Sequence, residues 1–213
     1  MVVQPIIVQP VKKRGDKLKI VIGVTGSIAS GKSYVLSQIK NKGYSVIDCD
    51  QISRDITKKG NEGFKPVTDE FPYFDEKGEL DRKKLGSIIF ENKNERIKLN
   101  NILHPIIYEK CKKELEKLDG LIFLDAPLLY EANFDTLCDD VICVYVTNDV
   151  QQQRLMKRDN LTKEEAIKRI ESQLSNKIKL SKSNFVVKSE EDFKETDKNI
   201  EKVLKQIKEK YHV

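Results

Sequence analysis

The stretch GSIASGKS, Gly26 to Ser33, constrains this chain more than any other part of it. It fits the spacing G-x-x-x-x-G-K-[ST], and it stands where that spacing has a mechanism. The run KLKIVIGVT (17–25) precedes it and reads as a strand buried on both faces. A helical pattern over 32–42 follows, with Val35, Leu36 and Ile39 on one face and Gly43 at its end. A strand, a turn of small residues and a helix together turn main-chain N–H groups toward an anion at the helix's positive end. On this reading Gly26, Ser27, Ile28, Ala29, Ser30, Gly31, Lys32, Ser33 and Tyr34 surround a nucleotide's phosphates. Lys32 bridges the β- and γ-phosphates, and Ser33 offers its hydroxyl to Mg²⁺. Enzymes and switch proteins share such a loop, so the reaction has to be read from its surroundings.

Four more stretches carry strand patterns: 44–48, 121–127, 140–146 and 184–188. Between 50 and 118 there are no clear strands, only helical patterns such as RKKLGSIIF and NERIKLNNILHPIIYEKCKKELEKL. Residues 149–176 read as two charged helices parted near DNLTKEE, where Thr162 and Glu165 make a capping box, and 192–211 as a last helix. Alternating strands and helices predict an α/β protein, a three-layer phosphate-loop fold on a mostly parallel sheet of about five strands. The expected organisation is one domain over 18–213. Its core is drawn from 18–54, 119–148 and 183–213, with a helical insertion over 55–118 and a helical lid over 149–182. Residues 1–17 read as a flexible extension, since Pro5 and Pro10 interrupt the apolar part and no basic segment precedes it.

Composition narrows the class. With 38% hydrophobic and 34% charged residues the chain describes a soluble globular protein, and no run approaches membrane-spanning length. The net charge of +5 is spread among interleaved acids and bases, without a basic block that would read as a nucleic-acid arm. Cys49, Cys111, Cys138 and Cys143 include no CxxC pair, which argues against zinc and for reduced thiols in the cytoplasm. A monomer or weak homo-oligomer is expected.

The acceptor side is sought at the carboxyl ends of the other strands, where ligands collect in parallel sheets. VIDCD puts Asp48 and Asp50 there, pointing the same way if the strand runs through Asp50. Asp50 then either accepts a proton from an acceptor hydroxyl or caps the helix beginning QISRD. In LIFLDAPLLYE, Asp125 suits Mg²⁺, directly or through water, or else is an ordinary turn aspartate before proline; Pro127 and Leu128 line a pocket. Arg154 and Arg158, four apart with Lys157 beside them, form either a basic face closing over phosphates or a solvated helix face.

Taken together, GVTGSIASGKS, VIDCD, GELDRKKLGSIIF, LNNILHP, LDAPLLYE and QQQRLMKRD resemble, in order and spacing, the dephospho-CoA kinase family, over about 18–205. The resemblance implies a kinase that moves the γ-phosphoryl of ATP onto the ribose 3′-hydroxyl of dephospho-CoA, the last step of coenzyme A synthesis. It further implies Asp50 as general base, with Lys32, Arg154 and Arg158 as catalytic residues. Ser33 and Asp125 are the implied Mg²⁺ site, and Asp48, Arg82, His104, Pro127 and Leu128 join Asp50 in substrate binding. His104 also admits a structural reading, as a histidine before a helix-breaking proline. The chain departs from the family in having Ser27 and Ala29 for glycines, Tyr34 for threonine, and Lys188 for an asparagine.

Two rivals remain. A uridine kinase shares the look of GSIASGK but not LNNILHP or DAPLLYE. A GTPase switch needs N-K-x-D, and NKGY, NKNE and NKIK all fail at the aspartate.

Overall fold

The computed structural model describes residues 18–189 and 192–213, so the expected extension 1–17 lies outside the described residues. Five strands form one sheet: β1 (Lys19–Thr25), β2 (Ser45–Asp48), β3 (Gly120–Asp125), β4 (Asp140–Tyr145) and β5 (Phe185–Lys188). Their order is β2-β3-β1-β4-β5 and every pairing is parallel. The chain leaves β1 toward β2 on one side, returns through β3, and reaches β4 on the other side. The carboxyl end of β1 therefore lies at the switch point of the sheet, the place where a parallel α/β fold opens a crevice.

The helices are α1 (Lys32–Asn41), α2 (Cys49–Ile56), α3 (Phe64–Glu70), α4 (Arg82–Glu91), α5 (Lys93–Glu116), α6 (Asn148–Asp159), α7 (Lys163–Glu171), α8 (Asn176–Lys182) and α9 (Phe193–Tyr211). One face of the sheet packs Ile20, Ile22 and Val24 against Val35 and Ile39 of α1 and Val203 and Ile207 of α9. The other packs Val21, Ile122 and Leu124 against Ile56 of α2 and Ile107, Cys111 and Leu115 of α5. Alternation along the strands, apolar on both sides, makes this the three-layer arrangement that the sequence patterns predict. All four cysteines are free thiols.

A third cluster, Val67, Phe71, Leu80, Leu85 and Leu99, joins α3, α4 and α5 away from the sheet. The helices of residues 55–118 thus bury a small core of their own, and α5 threads both that core and the sheet's.

Three local expectations change. Pro105 does not end a helix: it lies inside α5, which continues through it to Glu116. Its ring removes one intrahelical donor, and burial of Ile107, Cys111 and Leu115 beyond it outweighs that loss. The strand at Asp48 does not continue through Asp50, because α2 begins at Cys49. Strand β3 stops at Asp125, before Pro127, which has no N–H for a ladder. The paired helices around DNLTKEE are α6 and α7, with the capping box at Thr162 and Glu165 in place.

Candidate active site

The loop between β1 and α1 is held by contacts that explain its small residues. A Cβ on Gly26 would stand 2.8 Å from the Val144 carbonyl oxygen. Gly31 takes φ +88°, and a Cβ there would collide with Ser189 Oγ. Ala29 also adopts a left-handed backbone, φ 60°. Gly31 N-caps α1 without a side-chain cap. The amides of Ala29, Gly31, Lys32 and Ser33 find no acceptor among the described residues, and the buried Ser30 hydroxyl has no partner there either. A ring of free donors at a helix's positive end is an anion site.

The loop is braced from outside by a set of amide side chains. The Ile28 N–H donates to Gln173 Oε1 (2.9 Å), while its carbonyl accepts from Gln151 Nε2 (2.8 Å). Ser27 Oγ donates to Asn176 Oδ1 (2.6 Å), and Asn176 Nδ2 donates to Gln151 Oε1 (3.0 Å). Gln151 is on α6, and Gln173 and Asn176 lie where α7 gives way to α8. The sequence offers little to find them by, since uncharged amides inside charged helices read as surface.

Three carboxylates share the strand ends. Asp48 and Asp125 are in register on β2 and β3. Asp48 caps α2, its Oδ1 accepting from the Gln51 N–H at 2.9 Å, and so takes the role considered for Asp50. Asp50 stands instead in the first turn of α2 and faces the cleft. Screening of its carboxyl from water pushes it above the usual aspartate range; Lys32 opposes this and Asp48 adds to it. Asp125 is raised mainly by burial, against the pull of its ion pair with Lys32.

Of these carboxylates Asp50 lines a cavity of about 790 Å³, together with the loop, Pro127, Gln173, Arg154, Lys157 and Arg158. Arg154 donates to Ser189 Oγ (3.0 Å), and Arg158 forms a forked pair with Asp159 (2.7 and 3.0 Å). A second cavity, about 190 Å³, lies on the far side of Asp50 and Pro127, with Leu128, Leu103 and His104 in its wall. The Pro127 carbonyl between them accepts from Lys179 Nζ (2.8 Å), a fully buried lysine that also pairs with Glu131 (3.3 Å).

The structure thus gathers Gly26–Ser33, Asp50, Pro127, Arg154 and Arg158 around one cleft, while Asp48 caps α2 and Asp125 is joined to the cleft through its ion pair with Lys32. Two sequence candidates stand elsewhere. Arg82, at the start of α4, donates to the Arg54 carbonyl (2.8 Å) and lines neither cavity. The Tyr34 hydroxyl turns to Asp197 on α9 (2.9 Å) and its ring packs on Phe193, 4.5 Å between centroids, because α1 directs that position away from the loop.

Comparison with known proteins points one way. The sequence model described as Dephospho-CoA kinase matches residues 20–195. A Listeria monocytogenes protein named Dephospho-CoA kinase is 40% identical over 188 residues, which span 84% of this chain and 92% of that protein. The solved Dephospho-CoA kinase of Campylobacter jejuni is 29% identical, with a TM-score of 0.67 over 89% of this chain and 98% of that one. TT1252 from Thermus thermophilus superposes with a TM-score of 0.75 at 26% identity, over 88% of this chain and 97% of that one. This chain belongs to the dephospho-CoA kinase family.

Proposed function

We propose that the chain transfers the γ-phosphoryl group of ATP to the ribose 3′-hydroxyl of dephospho-CoA, releasing ADP and coenzyme A. The observation that carries this reading is the position of Asp50, whose carboxylate lines both the phosphate cleft and the smaller cavity beside it. A proton acceptor shared by two cavities suits a hydroxyl in one attacking phosphorus in the other.

In this reading the free amides of the loop hold the β-phosphate, and Lys32 moves from Asp125 to the γ-phosphate. Asp50 takes the proton of the attacking hydroxyl as the phosphoryl group passes in line between two oxygens. Arg154, Lys157 and Arg158 neutralise charge on the transferring group, and α6 with α7 acts as a lid that excludes water. Asp48 holds α2, and hence Asp50, at the strand end.

The residues present fit Mg²⁺. The Ser33 hydroxyl makes no hydrogen bond among the described residues, and Asp125, paired with the preceding Lys32, offers hard oxygen. No cluster of three or more His, Cys, Asp or Glu that could hold an ion by itself occurs among the described residues. Ser33 and Asp125 would hold it, where it neutralises phosphate charge. Among the described residues no helix is long and apolar enough to cross a membrane, which accords with a cytoplasmic enzyme of small-molecule substrates.

The test is ADP release with and without dephospho-CoA. Release should depend on dephospho-CoA and not be supported by uridine. Asp50→Asn should keep ATP binding and lose phosphoryl transfer by a factor of roughly 10²–10⁴, and Lys32→Ala should abolish it. Normal turnover in Asp50→Asn would remove Asp50 from the role.

A further inference from the structure

The amide brace behind the phosphate loop acts on one particular peptide. Gln151 is fully buried and lines neither cavity, yet its side chain is committed at both ends. Its Nε2 donates to the Ile28 carbonyl (2.8 Å), and its Oε1 accepts from Asn176 Nδ2 (3.0 Å). Asn176 Nδ2 also faces the Val146 carbonyl (3.5 Å), which can only accept, so neither amide can be exchanged end for end. The Ile28 carbonyl shares its peptide with the Ala29 N–H, and in a trans peptide the two point in opposite directions. Held from behind by Gln151, this peptide turns the Ala29 N–H toward the cleft that Ala29 lines, where it finds no acceptor among the described residues. The Ile28 N–H, on the peptide before, is fixed separately by Gln173 Oε1 (2.9 Å).

We propose that Gln151 is a positioning residue, which aims the Ala29 N–H at bound phosphate by keeping the peptide between Ile28 and Ala29 from flipping. This rests on the proposed function only in taking the anion to be the phosphate of ATP. The peptide has reason to flip. Ala29 sits at φ 60°, a left-handed backbone in which the Cβ of an L-residue crowds the following carbonyl oxygen. Rotation of that one peptide plane by about half a turn would carry φ to about −120°, in the broad region that L-residues favour. The Ile28 carbonyl would then enter the cleft, and an acceptor would stand where phosphate needs a donor. Two arrangements of one peptide are thus opposed. Backbone strain at Ala29 favours the first, and the hydrogen bond from Gln151 favours the second. Gln151 is on α6, the helix that also brings Arg154 and Arg158 to the cleft, so a side chain outside the cleft sets the donor pattern inside it.

The experiment is ATP binding by calorimetry, which needs no acceptor, together with steady-state KM values. Gln151→Met keeps the length of the side chain and loses the donor. It should weaken ATP binding and raise the KM for ATP about tenfold, the size of one buried hydrogen bond, and leave the KM for dephospho-CoA within about twofold. Gln151→Glu sets a carboxylate oxygen against the Ile28 carbonyl and should weaken ATP binding further, because the flipped peptide gives that oxygen the Ala29 N–H. Ala29→Gly removes the strain that drives the flip. Added to Gln151→Met, it should bring ATP affinity to within about threefold of Ala29→Gly alone. A brace that merely stiffened the loop would not be replaced by glycine, which loosens the chain. Unchanged ATP affinity in Gln151→Met overturns the proposal, and so does a double variant that binds no better than the single one. If one of the two Gln151 variants fails to fold, the other, with Ala29→Gly added, still decides. Wild-type enzyme that binds ATP and turns over dephospho-CoA, with Gln151→Met binding ATP equally well, defeats this proposal alone; wild-type enzyme that binds no ATP defeats it together with the function beneath it.

Discussion

Asp48 and Asp125 stand opposite each other on adjacent strands, and each is committed to a different neighbour. Asp48 closes the first turn of α2, while Asp125 is paired with Lys32 of the phosphate loop. A third carboxylate, Asp50, shares the same edge with one lysine between them. Poor solvation chiefly, with repulsion adding to it, raises Asp50, which lines the cleft, and Asp125, which is paired with Lys32.

A base with a raised pKa sets the acid side of the pH profile. Asp50 works only when ionised, so phosphoryl transfer should fall as pH drops through a value above the ordinary aspartate range. The charge on Asp48 contributes to that elevation. Asp48→Asn removes the charge and keeps an equally good helix cap. The acid limb of kcat/KM against pH should therefore move to lower pH in Asp48→Asn, and a limb that stays in place would show that Asp48 does not act on the base.

Ala29 holds a left-handed backbone at φ 60°. That conformation costs an L-residue about 1–2 kcal/mol, and glycine escapes it at an entropic cost of about 0.4–1 kcal/mol in the unfolded chain. Ala29→Gly should stabilise the protein by about 0.5–1 kcal/mol, read as a higher urea midpoint. A lower midpoint would mean that the loop draws rigidity from the alanine.

Lys179 is fully buried against Glu131 and the Pro127 carbonyl. Lys179→Met leaves that carboxylate without its partner and should cost about 3 kcal/mol, the low end for a broken buried pair. Adding Glu131→Gln should recover part of the loss. Equal midpoints for the single and double variants in denaturant unfolding would refute the pairing.

How much of this was legible in the sequence depends on whether a residue's surroundings are local. Strands β1 to β5 and helices α1, α6, α7 and α9 follow from buried runs and helical spacing within a few residues, and Thr162 with Glu165 announces its own cap. Asp48 and Asp50 were separable only by knowing where β2 stops, a matter of one residue that tertiary packing of Cys49 decides. Pro105 reads as a stop until the burial on both sides of it is seen. Gln151, Gln173 and Asn176 carry no pattern at all; their meaning comes from the Ser27 hydroxyl and the Ile28 backbone, well over a hundred residues away in the chain.

The hold on Ile28 has a mechanical consequence. The carbonyl and the N–H of Ile28 are both gripped, the first by the helix that opens the 148–182 segment and the second by the turn that leads out of its middle helix. The opening helix of the segment and the turn after α7 are thereby bolted to the phosphate loop. Whatever swing it makes has to be confined to the span between the bolts, around the left-handed joint at Asn160 and the end of α7 at Ser172.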